Sequence, residues 1–160
     1  MESKKAFSGI LSPFAIKGVE LKNRVVFLPH EMYYGSEEHL PTKKQRFYYE
    51  ERAKGGVGLI IVPSIGVHPT GFYSCQVAAK KESIPGLREI TEAVHKHGSK
   101  IFAQMTHYGN QTKSVETLQA TWAPSAIPDM TVREVPKEMT IDEIHTLVKA
   151  FGDSAKLLLD

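Results

Sequence analysis

Apolar residues in this chain alternate between two spacings. Short β-rich runs recur at 14–16, 19–21, 24–28, 57–64 and 100–107, and between them apolar positions repeat every three or four residues. Phe14-Ala15-Ile16 and Val19-Glu20-Leu21 flank Lys17-Gly18 and predict a hairpin whose turn is supplied by glycine. The 24–28 run is nearly all apolar, as in a strand covered on both faces. Residues 41–54 start on a proline, carry Phe47, Tyr48 and Tyr49, and stop at Gly55-Gly56, which predicts a helix.

VGLIIVPS at 57–64 is the next strand, followed by a loop over 65–82 holding Gly66, Pro69 and Gly71. Leu87, Ile90 and Val94 predict a helix over 87–97 ended by Gly98, and KIFAQMTH at 100–107 is the third strand. The proline-containing excursion over 108–139 is too long for an ordinary connection, so it is expected to help build a site. Thr140 with Glu143 reads as a capping box, and Ile141, Ile144, Leu147, Val148, Phe151 and Leu158 mark the expected buried face of a last helix.

Three strand–helix units in succession predict parallel strands with right-handed crossovers, and the hairpin over 10–23 would lie beneath the N-terminal mouth of their sheet. A doubly wound sheet and a (β/α)8 barrel both begin this way. The first strand-to-helix turn lacks GxGxxG, which favours the barrel. The expected fold class is therefore α/β, the N-terminal portion of a (β/α)8 TIM barrel preceded by a β-hairpin, with about three βα units over 24–160. A barrel takes ~250 residues. The 160 residues here imply an incomplete ring, and a fragment, a truncated product or one part of a split enzyme is expected.

Composition narrows the class. With 41% hydrophobic and 24% charged residues, the chain reads as one soluble globular domain. Twenty Lys plus Arg against 18 Asp plus Glu give a net charge of +2 on scattered positions, so neither a nucleic-acid nor a membrane partner is expected. The longest apolar run, 57–62, falls short of the ~18 residues that span a bilayer. The first residues show no apolar h-region or small-residue cleavage pattern. Cys75, the single cysteine, has no disulfide partner and no metal-spaced neighbour, and a cytoplasmic location is expected.

In a parallel barrel, ligands bind where strands finish. Pro29, His30 and Glu31 follow the first strand, Ser64 ends the second, and Gln104 to His107 end the third. Gln104 in an otherwise apolar strand must find buried partners or cost ~1–3 kcal/mol. A metal hydrolase using His30 and His107 is one alternative, but the first strand has no His-x-His pair and no carboxylate stands at ligand spacing. His107 taken alone reads as a satisfied structural group, His95, His97 and His145 as surface residues on helices, and Trp122 as loop packing.

LSPFAIKGVELKNRVVFLPH, RFYYEERAKGGVGLIIVPS, ITEAVHKHGSKIFAQMTHYG, WAPSAIP and MTIDEIHTLVKAFGDSAKLL resemble, in order and over almost the whole chain, the N-terminal part of the Old Yellow Enzyme family of FMN-dependent oxidoreductases. The Pro29-His30 pair is similar to that of its multidomain branch, which contains 2,4-dienoyl-CoA reductase and trimethylamine dehydrogenase. The resemblance implies hydride transfer from NAD(P)H through flavin N5 to a small-molecule substrate, an activated alkene or similar. It implies that the backbone around Pro29 and His30 lies against the flavin, that Ser64 is the small residue beside it, and that Gln104 bonds its pyrimidine edge. An iron–sulfur cluster is implied only for a longer parent chain.

Glu31 departs from the threonine or cysteine that family members carry. Glutamate cannot form a thioether, so FMN is expected to be noncovalent. Its carboxylate would tune the ring's potential, donate a proton, or turn aside to pair with a neighbouring base. The family's histidine pair follows strand four, beyond Asp160, so the catalytic residues are left unassigned. The competing expectation is a non-catalytic half-barrel that needs a complementary chain, the remainder of the barrel or a homo-oligomer.

Overall fold

Residues 7–159 are described by a computed structural model. The first of them form a helical turn, α1 (Ser8–Leu11), where the sequence pattern places the start of the hairpin segment. The hairpin itself is β1 (Phe14–Ile16) antiparallel to β2 (Val19–Leu21), with Ile16 opposite Val19. Lys17 at φ 43° and Gly18 at φ 86° are both left-handed, the two-residue turn whose twist suits a hairpin.

β3 (Val26–Phe27) is shorter than the 24–28 expected. Arg24 belongs to the preceding segment instead: its N–H donates to the Ile10 carbonyl at 2.9 Å, its Nε donates to Ser12 Oγ at 3.1 Å, and its guanidinium lies 4.6 Å from the Phe14 ring centre. After Phe27, Leu28 leads into Pro29, which has no N–H to extend a ladder.

α2 (Lys43–Lys54) starts two residues later than its proline suggests, because Thr42 is the N-cap. Thr42 Oγ1 accepts from Gln45 N–H at 3.4 Å and Gln45 Oε1 accepts from Thr42 N–H at 3.1 Å, a reciprocal capping box. The helix ends with Gly56 at φ 97°, Gly56 N–H donating to Ala53 and Val57 N–H to Arg52, a left-handed stop that glycine adopts without strain.

β4 (Leu59–Gly66), α3 (Ile84–His95) and β5 (Lys100–Thr106) complete a parallel sheet of order β3-β4-β5. Beyond it come α4 (Ser114–Thr117), a small parallel ribbon of β6 (Trp122–Ala123) with β7 (Lys137–Glu138), and α5 (Ile141–Leu159), opened by the Thr140–Glu143 capping box. α2 and α3 cover one face of the sheet. Tyr49 and Ala53 from α2, Ile60, Val62 and Ile65 from β4, and Ile90 and Val94 from α3 form the buried core with Val77. Each large apolar side chain so buried contributes about 1.5–3 kcal/mol.

The N-terminal ends of the strands are sewn together around Gly58. Asn23, 8% exposed, donates through Nδ2 to the Gly56 carbonyl at 2.7 Å and accepts the Val25 N–H at 3.1 Å. Gly58 N–H donates to the Val25 carbonyl at 3.0 Å, its carbonyl accepts the Lys100 N–H at 2.9 Å, and Ser99 Oγ donates to the Val57 carbonyl at 2.6 Å.

The last helix differs from its expected packing. Of the stripe read as buried, Ile141, Ile144 and Val148 are exposed, Leu147 and Phe151 are half-buried, and Leu158 alone joins the core. His97 also departs from expectation: it lies in the turn after α3, half-buried, with Nε2 3.7 Å from Glu50 and its carbonyl accepting Lys22 Nζ at 2.7 Å. Among the described residues no helix is long and apolar enough to cross a membrane.

A Cβ at position 58 would stand 2.5 Å from both the carbonyl and the side-chain oxygen of Asn23. Gly58→Ala is therefore expected to lower the unfolding free energy by about 1–3 kcal/mol, read as a lower urea midpoint at unchanged m-value; an unchanged midpoint would show that the seam gives way without cost.

Candidate functional site

Because β3, β4 and β5 are parallel, their C-terminal ends open on one side, and the sequence-expected residues stand there or just beyond. Their local geometry begins with Pro63. It lies where the register steps from Val62 opposite Ala103 to Ile65 opposite Met105. Three steps on β4 against two on β5 make a bulge. Ser64 absorbs it at φ 51°, left-handed, a conformation that costs a non-glycine residue about 1–3 kcal/mol and persists where its surroundings enforce it. The serine is buried, and its Oγ meets the Tyr108 hydroxyl at 2.7 Å.

Glu31 does not pair with a base. Its Oε1 accepts the backbone N–H groups of Met32 at 3.0 Å and Tyr33 at 3.1 Å, which pins the carboxylate to its own loop. Tyr33, left-handed at φ 52°, begins a row of rings: its centre lies 5.5 Å from Tyr73, and Tyr73 lies 5.2 Å from Tyr108. Burial raises the phenol pKa of Tyr33 and of Tyr108, and the Glu31 charge adds to both. Pro29 is half-buried beside them. His30 is exposed, its ring hydrogen-bonded to nothing among the described residues.

Gln104 is not buried with satisfied partners, as its apolar strand suggested. It is exposed, and its side-chain amide bonds to nothing among the described residues. The reason lies in the sheet: Ile101 packs on the helical core, so alternation along β5 puts Phe102, Gln104 and Thr106 on the opposite face, which the helices do not cover.

His107 is enclosed in a hydrogen-bonded chain. Gly109 N–H donates to Nδ1 at 3.2 Å, so Nε2 carries the proton and donates to Thr70 Oγ1 at 3.0 Å; Thr70 in turn donates to His68 Nδ1 at 2.8 Å. His68 stacks on Trp122 at 4.9 Å. This chain needs both imidazoles neutral. Burial pushes His107 down to about 4, with His68 beside it adding, and burial lowers His68 as well. Gly71 makes the room, since a Cβ there would lie 2.3 Å from the His107 ring.

Sequence reasoning did not single out the tyrosine row or the His68–Thr70–His107 chain. Tyr33, Tyr73 and Tyr108 come from three loops far apart in sequence, and no spacing links them. The Cys75 thiol accepts from Ser74 Oγ at 3.8 Å. Among the described residues, no three His, Cys, Asp or Glu side chains gather to hold a metal ion. The site can therefore offer a fixed carboxylate, a hydroxyl pair, an open amide and an aromatic wall.

Residues 9–160 match the family described as NADH:flavin oxidoreductase / NADH oxidase. The chain is 36% identical over 154 residues to an NADH oxidase of Thermoanaerobacter brockii, covering 93% of this chain and 24% of that protein. It is 37% identical over 150 residues to an NADPH dehydrogenase of Geobacillus sp. (strain WCH70), covering 92% of this chain and 43% of that one. Among solved structures, the Old Yellow Enzyme homologue from Zymomonas mobilis superposes with a TM-score of 0.86 at 26% identity, over 94% of this chain and 45% of its own. The chain thus spans less than half the length of these relatives.

Since His107 titrates near 4 when folded and near 6.5 when free, the unfolded chain binds the extra proton between those values. Stability is expected to be fully present above about pH 6.5 and to decline as pH falls toward 4. Urea unfolding of the parent and of His107→Asn across this range checks it: a decline just as steep in the variant would assign the pH dependence to other groups.

Proposed function

Because the chain belongs to the NADH:flavin oxidoreductase / NADH oxidase family, we propose that the C-terminal mouth of β3, β4 and β5 is the first wall of an FMN pocket in an NAD(P)H-dependent oxidoreductase. The observation that carries the reading is Gln104, an exposed amide with no partner among the described residues on the uncovered face of β5, where an uncommitted donor–acceptor pair suits the pyrimidine edge of a flavin. The residues around it fit the same group. Leu28, 67% exposed, and Pro29 provide apolar surface at the end of β3, and buried Ser64 provides a compact polar contact beside them. FMN bound there would supply two-electron hydride transfer from NAD(P)H to a small activated alkene.

The protein's own part is to bind, orient and set the field. The side-chain amide of Gln104 would hold the ring's polar edge and favour charge that accumulates there on reduction. Glu31, pinned by two backbone N–H groups, holds a fixed carboxylate that opposes electron gain nearby and offers no sulfur for a covalent link. The exposed stripe of α5 and the free edge of β5 favour partnership with further strand–helix units that complete a ring.

Three outcomes are expected of the purified protein. It carries FMN that acid precipitation releases into the supernatant; flavin retained on the pellet would contradict the noncovalent assignment. Gln104→Ala weakens FMN binding about ten- to a hundredfold, the loss expected for ~1–3 kcal/mol of hydrogen bonding, measured by quenching of flavin fluorescence; an unchanged Kd would remove Gln104 from the pocket. Glu31→Gln keeps an oxygen for the two backbone donors and loses the charge, so the flavin midpoint potential rises; an unmoved potential would mean that the carboxylate does not act on the ring.

A further inference from the structure

The contact between Ser64 and Tyr108 leaves one hydrogen without a home. Each hydroxyl has one hydrogen and two lone pairs, and their single mutual bond of 2.7 Å consumes one hydrogen. The second meets no acceptor among the described residues. Ser64 is only 5% exposed, so water is a poor substitute, and a buried hydroxyl hydrogen left unpaired costs about 1–3 kcal/mol. A ligand acceptor at this point removes that cost.

Which hydroxyl keeps the spare hydrogen follows from chemistry and restraint. A phenol is a stronger donor than an alkyl alcohol, so Tyr108 donates and Ser64 retains the free hydrogen. Neither group is at liberty to rotate away. Tyr108 N–H donates to the Gly71 carbonyl at 3.1 Å, and its ring lies against Tyr73 at 5.2 Å. The Ser64 backbone is set by the bulge after Pro63. In a chain of two hydroxyls the first bond polarises the second and strengthens it.

We propose that Tyr108 is a positioning residue for the flavin: by donating to Ser64 Oγ, it directs the serine hydrogen to an acceptor on the isoalloxazine ring and stabilises the reduced, electron-rich form. The proposal rests on the flavin reading above and adds to it a residue that reaches the ring only through another. Burial raises the Tyr108 pKa, the Ser64 contact offsets part of the rise and the Glu31 charge adds to it, and with the net shift upward the phenol stays protonated.

The test uses the FMN-loaded protein and two substitutions chosen to keep the fold. Tyr108→Phe keeps the ring on Tyr73 and loses only the hydroxyl. Ser64→Gly removes the serine hydroxyl and leaves a residue that adopts the left-handed backbone freely. FMN affinity is measured by fluorescence and the midpoint potential by equilibration with a redox dye. The expected result is FMN binding within about twofold of the parent in Tyr108→Phe and weaker in Ser64→Gly, a roughly tenfold shift of the reduction equilibrium toward the oxidised form in each single variant, equal to about 30 mV for two electrons, and no further shift in the double variant. A Tyr108→Phe protein with bound FMN and the parent potential overturns the proposal, as do shifts that add in the double variant. A parent protein that binds no FMN overturns the flavin reading and this proposal with it.

Discussion

Between Val62 and Ile65, strand β4 carries one residue more than β5, and the sheet accommodates it as a bulge next to Pro63. That bulge ends regular pairing just where β4 reaches the mouth of the sheet, and it leaves Ser64 buried and left-handed, facing Tyr108. What happens at the mouth depends on it. Tyr108 is held by Ser64, Tyr73 packs at a tilt against Tyr108, and Tyr33 packs at a tilt against Tyr73, so a backbone irregularity in one strand organises the loops after all three. Beyond the bulge, β4 still pairs with β5 at Gly66 and Thr106, so the irregularity is enclosed on both sides by regular ladder.

The two ends of the sheet divide the work. At the N-terminal end, Asn23, Gly56 and Gly58 pack backbone against backbone with short hydrogen bonds and little free space. At the C-terminal end, Tyr33, Ser64 and Cys75 are all left-handed without being glycine, and the polar groups of Gln104 and His30 are left without internal partners. Left-handed backbone and uncommitted polar groups at this end fit the flavin pocket proposed above. The His68–Thr70–His107 chain limits how far that freedom extends, because its donors and acceptors are assigned in sequence from Gly109 N–H to His68 Nδ1. It ties the loop after β4 to the start of the excursion, and Trp122 closes over it.

Amphipathic spacing and end signals made the order of elements readable. Glycines at 18, 56 and 98, the Thr140–Glu143 box and the three apolar runs each act within a few residues, so the hairpin, the three parallel strands and their helices could be placed before any contact was known. The Thr42–Gln45 box, seen in the structure, corrects the helix start that Pro41 suggested. Pro29, His30, Glu31, Ser64 and Gln104 were singled out partly by position at strand ends and partly by resemblance to a family, not by any local pattern that compels a role.

What the sequence determined by itself is therefore the part governed by neighbours along the chain: periodicity, caps and turns, and with them the α/β class. Tertiary structure decided the partners. Glu31 accepts two backbone N–H groups instead of a base, Gln104 stays open because no helix covers its face, and Ile141, Ile144 and Val148 of the α5 stripe are exposed. Tyr33, Tyr73 and Tyr108 meet only because three parallel strands end side by side. Hydrogen bonds and ring contacts act over a few ångströms of space, and the fold alone sets which distant residues share that space.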